Sequence, residues 1–228
     1  MTIAVLLSGG TGSRLGEDIP KQYLEVGGMP MISYCIRTLS EHPDIDGIQI
    51  VAAGEWQASL TEWLGNVDTK RKFRGFSEPG DTRQLSILNG LEDILKYASY
   101  EDVVLIHDAA RPLLSAQLIT ECLTALDGHD GVLPVLPMKD TVYYSEDGKH
   151  ISSLVNRSEI YAGQAPEAFG LGRYLAANER LLPTEILNIN GSTEPAVLAG
   201  LDVVMIPGDE NNFKVTTKAD LERFRERI

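Results

Sequence analysis

The chain has 228 residues, of which 43% are hydrophobic and 23% charged, enough to bury one sizeable core. Its 20 Lys and Arg face 33 Asp and Glu, for a formal net charge of −13. A surface that acidic repels phosphate backbones and anionic lipid, which excludes nucleic acid and membrane surfaces as partners. Any anionic ligand must then be held by a few concentrated cations. The start, Met1-Thr2-Ile3-Ala4-Val5, has no basic region leading into an apolar stretch, and no run approaches the roughly 18 apolar residues of a membrane span. Cys35 and Cys122 lie far apart in helix-like patterns without metal-type spacing, so they read as buried free thiols. A place in the reducing cytoplasm is the expectation.

In chain order, Ile3–Leu7, Ile48–Ala52, Val103–Ile106, Val132–Leu136 and Val203–Ile206 are short and rich in Val and Ile, and predict buried strands. Between them, Met31–Leu39, Trp56–Leu64, Leu85–Tyr97 and Ala116–Leu126 carry apolar residues at three-to-four spacing and predict helices. Ala219–Arg227 predicts a closing helix. This alternation implies an α/β fold with a mostly parallel central sheet and helices on both faces. Residues 1–228 are expected to form one domain. Asp140–Asn156 breaks the rhythm: β-formers alternate around an Asp147-Gly148 tip, which predicts a hairpin. It either lies on its own domain or reaches, as an arm over about 139–160, to a second subunit.

The first strand runs into Ser8-Gly9-Gly10-Thr11-Gly12-Ser13-Arg14-Leu15-Gly16 and then Pro20-Lys21. Glycines let the backbone approach an anion and turn its N–H groups toward phosphate oxygens. A loop after a strand's C-terminal end is where open α/β sheets bind ligands. Arg14 and Lys21 add positive charge beside it. The loop lacks the Gly-Lys-Ser/Thr of a P-loop, and its third glycine comes one residue late for a dinucleotide fingerprint.

The string L-x-G-G-x-G-x-R-L followed by Pro20-Lys21-Gln22-Tyr23-Leu24 resembles the signature of polyol-phosphate cytidylyltransferases. Two branches are close, acting on 2-C-methyl-D-erythritol 4-phosphate or on ribitol 5-phosphate. The resemblance implies a Rossmann-like fold of the nucleotide-diphospho-sugar transferase type with a protruding hairpin arm. It implies CTP, Mg²⁺ and a small polyol phosphate as ligands, and a homodimer formed through the arm. By the same resemblance Arg14, Lys21 and Lys214 (in Asn212-Phe213-Lys214-Val215-Thr216) would surround the reacting phosphate. Ser8, Gly9, Gly10, Gly12 and Ala109, with Gly80, Asp81, Arg83 and Ser86, would bind the nucleotide. Asp81 also reads as a helix N-cap and Ser86 as an exposed helical residue.

His107-Asp108-Ala109-Ala110-Arg111-Pro112 follows an apolar strand, so Asp108 is placed to hold Mg²⁺ at the ligand edge. His107 reads as a structural hydrogen-bonding residue, and His42, His129 and His150 as surface residues. The resemblance assigns Asp108, Arg111, Thr141 and Arg157 to the acceptor, the last two across a dimer interface, and gives Tyr161–Pro166 a part in shaping the pocket. Thr193 stands where the methylerythritol branch has an acidic residue, and Asn211 replaces another. These departures tip the expected acceptor toward ribitol 5-phosphate, with 2-C-methyl-D-erythritol 4-phosphate as the alternative. A reading of a different class is a non-catalytic nucleotide- or sugar-phosphate-binding protein.

Overall fold

The computed structural model describes residues 1–10 and 19–228. Gly12 and Arg14 lie outside the described residues. The elements run β1 (Thr2–Leu7), β2 (Glu25–Val26), β3 (Met29–Pro30), α1 (Met31–Glu41), β4 (Gly47–Val51), α2 (Gly54–Val67), β5 (Phe73–Ser77) and α3 (Arg83–Ile94). They continue with β6 (Val103–Asp108), α4 (Ala116–Ala125), β7 (Gly131–Pro137), β8 (Val142–Tyr144), β9 (Ser153–Val155), β10 (Tyr161–Gly163) and β11 (Glu167–Gly170). The chain closes with α5 (Leu171–Glu179), α6 (Glu194–Leu198), β12 (Val203–Pro207) and α7 (Lys218–Arg225).

Every predicted strand and helix is present, within a few residues of its expected bounds. The main sheet runs β10-β7-β11-β6-β1-β4-β5, with β12 also on β7. β1 pairs in parallel with β4 and β6, β4 with β5, and β7 with β12, while β11 runs antiparallel between β6 and β7. The sheet is mostly parallel, as the alternation predicts.

The period-two alternation of β1 sorts its side chains into two cores. Ala4 and Leu6 join the cluster formed with α1, α2 and α4, whereas Ile3 and Val5 join the one formed with α3 and α5. Helices therefore cover both faces. Cys35 and Cys122 are buried and free, and burial pushes both thiols up from their ordinary range. No helix among the described residues is long and apolar enough to cross a membrane.

Three local expectations need correction. His42 is buried, because its Nε2 meets the Ala116 carbonyl at 3.2 Å and Thr120 Oγ1 at 3.0 Å, tying α1's end to α4. Thr82, not Asp81, caps α3, its hydroxyl accepting from Leu85 N at 3.2 Å. Ser86 is turned inward, donating to Thr82 O at 2.9 Å and accepting from Gly80 N at 3.0 Å.

The hairpin forms with Val142 opposite Val155, and its tip is tied by Asp147, whose carboxylate accepts from Lys149 N and His150 N at 2.8 Å each. Tyr143, Tyr144, Ile151 and Leu154 on it are exposed.

His107, on β6, is completely buried, with Nε2 against the Arg111 carbonyl at 3.1 Å. Burial holds its imidazole neutral down to about 4, against the usual 6.5. The unfolded chain therefore binds more protons between those values. Stability is expected to be full above the unfolded value and to fall as pH drops toward the folded one, by about 3 kcal/mol from this group. Urea unfolding at successive pH values checks this, and His107→Gln should remove most of that fall.

Candidate active site

Register brings the site together. Leu7 sits opposite both Val51 and Asp108, so the loops after β1, β4 and β6 leave the sheet at one edge. A cavity of about 640 Å³ opens there, lined by Gly9, Gly10, Lys21, Gly80, Asp81, Arg83, Ser86, Asp108 and Lys214. Nine residues singled out in the sequence, from five separate segments, thus face one space.

Two glycines make the approach possible. A Cβ on Gly9 would lie 2.5 Å from Pro79 Cβ, and one on Gly80 would lie 2.4 Å from Leu85 Cβ. A side chain on Gly9 would drive the loop after β1 away from the loop that leads into α3, and one on Gly80 would drive that second loop off the first turn of α3.

Asp108 is the centre of charge. Its Oδ1 accepts from Arg83 Nη2 at 2.9 Å and Nε at 3.2 Å, and Lys214 Nζ reaches Oδ2 at 3.0 Å. Arg111 Nε lies 3.6 Å from Oδ2. Burial would raise this carboxyl, but Arg83, Lys214 and Arg111 overcome it and hold it far below the usual carboxylate range. Lys214 is carried in by the return of the chain after β12, where Val215 N donates to Ala110 O at 2.8 Å. Arg111 is anchored from behind, its Nη1 donating to Asn212 O at 2.8 Å. Three cations around one carboxylate leave the cluster positive in an otherwise acidic protein, which suits a polyanion.

Other residues fall elsewhere. Ala109 faces the core and its N–H is taken by Leu7 O at 3.0 Å, so Ala110 lines the cavity instead. Ser8 is buried behind the cavity, with its hydroxyl on Tyr23. Tyr161–Pro166 does not line the cavity; Gln164 there pairs with the Asp209 backbone at 3.0 and 3.1 Å. Thr141 and Arg157 line a second cavity of about 260 Å³ at the base of the hairpin, and Arg157 Nη1 donates to Lys139 O at 2.8 Å.

Asp108 does not offer a ready-made magnesium site. Both of its oxygens already face cations, and a divalent ion there would meet three positive charges. Among the described residues no cluster of three acidic, His or Cys side chains is placed to hold a metal.

Glu167 carries no signal in the sequence. This buried carboxylate on β11 accepts from Ser192 Oγ at 2.6 Å and Thr193 Oγ1 at 2.9 Å. Burial raises its pKa despite the nearby charge of Arg83. Thr193, which stands where the methylerythritol branch has an acidic residue, is thus bonded to a carboxylate from β11.

A family model for 2-C-methyl-D-erythritol 4-phosphate cytidylyltransferase (IspD) matches residues 2–225. The chain belongs to this family. A bifunctional enzyme IspD/IspF of Granulibacter bethesdensis is 39% identical over 96% of the chain and 54% of its own length. The chain thus spans about half the length of such bifunctional relatives. Over nearly full lengths, the 2-C-methyl-D-erythritol 4-phosphate cytidylyltransferase of Rubrobacter xylanophilus is 35% identical, covering 96% of this chain and 91% of that one. Among solved structures, a 4-diphosphocytidyl-2C-methyl-D-erythritol synthase from Anaerococcus prevotii superposes with a TM-score of 0.84 at 25% identity, covering 99% and 95% of the two chains. These IspD matches carry the methylerythritol branch, the alternative in the sequence reading, rather than the ribitol branch.

Proposed function

We propose that the chain transfers CMP from CTP to 2-C-methyl-D-erythritol 4-phosphate, releasing pyrophosphate. The observation that carries this reading is the positive cluster of Arg83, Arg111 and Lys214 around Asp108, in one cavity with Lys21 and the glycine loop. The family of the chain supports the choice of acceptor. The same cluster weighs against a mere binding protein, since a binder needs charge but not cations gathered around one buried carboxylate.

The acceptor's phosphate oxygen attacks the α-phosphorus of CTP, a new P–O bond forms, and the bond to pyrophosphate breaks. Both reactants are polyanions, so encounter is repulsive and charge gathers on the phosphoryl oxygens in the transition state. Catalysis is then positioning plus electrostatics. Lys21 and Lys214, with Arg14 of the glycine loop, bind the reacting phosphate, and Arg83 orients the triphosphate. The acceptor phosphate is already ionised near neutral pH, so no general base is required. Magnesium would supply further countercharge when bound, and Asp108, engaged by Arg83, Arg111 and Lys214, would not be free to hold it as it stands. Thr141 and Arg157 serve the acceptor of a second copy of the chain, which accounts for their separation from the main cavity.

The test is pyrophosphate release with CTP, ATP or GTP against each of the two polyol phosphates, repeated over a dilution series. CTP with the methylerythritol phosphate should be fastest, and activity per chain should fall on dilution into the monomer range. Equal rates with a purine triphosphate would remove the cytidylyl assignment. Faster turnover of ribitol 5-phosphate would restore the other acceptor, and dilution without effect would show the site to be built within one chain.

A further inference from the structure

Gln22 follows Lys21 directly and has been given no role, yet it is only 3% exposed. It lies in the short 3-10 turn Lys21–Tyr23 at the exit of the glycine loop. Its Nε2 donates to two carbonyls at the entrance of that loop, Ser8 O and Gly10 O, each at 2.7 Å. The two protons of one amide thus serve two acceptors, a task a carboxylate or an apolar side chain cannot do. Tyr23 adds a second tie: its hydroxyl accepts from Ser8 Oγ at 2.7 Å and donates to Ser8 O at 3.1 Å. The Tyr23 ring is held in turn by Trp56 and Trp63, with centroids at 4.6 and 5.7 Å. The loop's exit is therefore stitched to its entrance, and the stitch anchors the residue next to Lys21.

We infer that Gln22 is a positioning residue for phosphoryl transfer. It acts through Lys21, fixing that cation's backbone against the glycines that flank the same cavity. The inference rests on the reading of Lys21 as a ligand of the reacting phosphate. A backbone shift of about an ångström at such a cation is enough to lose a large factor in rate.

The experiment compares wild type, Gln22→Leu, Lys21→Ala and the double variant, assayed with CTP and 2-C-methyl-D-erythritol 4-phosphate. Gln22→Leu should lower kcat at least about tenfold and raise the KM for CTP, as misplacement of a phosphate ligand does. The KM for the acceptor should stay unchanged. A variant that merely folded less well would lower kcat with no change in KM. In the Lys21→Ala background the same substitution should cost less than about twofold, because residues acting as a unit are not additive. The chain's two tryptophans, Trp56 and Trp63, flank Tyr23, so their fluorescence reports folding at the stitch. If Gln22→Leu does not fold, the isosteric Gln22→Glu carries the same expectations, since it accepts where two donors are needed. Full activity of the folded Gln22 variant, or equal losses in both backgrounds, would overturn the inference. If Lys21→Ala itself keeps full turnover, the reading beneath it fails as well, and that result is distinct from failure at Gln22 alone.

Discussion

Replacing Lys214 by alanine is expected to lower turnover of CTP and acceptor by about two to three orders of magnitude while leaving the fold intact. Lys214 is more than a third exposed on its side chain, so its ion pair with Asp108 adds little to stability. Its charge counts where phosphoryl oxygens gather negative charge during transfer. Loss of one such preorganised group costs about 2.7–4 kcal/mol of transition-state stabilisation, by analogy with oxyanion-hole donors. Steady-state kinetics should show the loss in kcat more than in the KM for CTP, because the contact strengthens in the transition state. Thermal melting should match wild type within a degree or two. A variant with more than about a tenth of wild-type kcat would remove Lys214 from the reacting phosphate.

Much of this site is legible because its residues follow strand ends in short strings. β1, β4 and β6 are apolar runs rich in Val, Ile and Leu, and the side-by-side register of their ends places Gly9 and Asp108 at one edge without further assumptions. What the sequence hides depends on partners distant in the chain. β5 carries Arg74 and Gly75 within an apolar run, and β11 opens on Glu167, so neither has the pattern of a buried strand. Glu167 is tolerated there because Ser192 and Thr193, 25 and 26 residues away, donate to it. The choice of Ala109 over Ala110 turns on which of two adjacent small residues faces the core, and no periodicity decides that at a strand end. The acceptor is not legible in Thr193 alone, because the side chain that Thr193 meets, Glu167, lies 26 residues away in the chain.

The carboxylate at the centre should matter to stability as much as to catalysis. Asp108→Asn keeps the shape of the side chain and removes its charge, leaving Arg83, Arg111 and Lys214 gathered around a neutral amide. Removing one partner of a buried charge cluster costs about 3–5 kcal/mol, because the remaining charges stay desolvated and repel one another. The substituted amide also presents N–H groups to guanidinium donors where an oxygen was needed. Denaturant unfolding near neutral pH should therefore show a large loss, whereas Lys214→Ala should not. In the wild type this contribution is present above the ordinary Asp pKa of 3.8 and is lost only as pH falls through the depressed folded value. Added pyrophosphate supplies the missing negative charge, so it should stabilise Asp108→Asn by more than it stabilises the wild type. A magnesium titration of activity discriminates further. If the ion rides on the phosphates, the concentration giving half-maximal rate stays the same in the variant even though the rate itself falls. A sharp rise in that concentration would make Asp108 a metal ligand after all, and a variant as stable as wild type would show that the three cations do not depend on it.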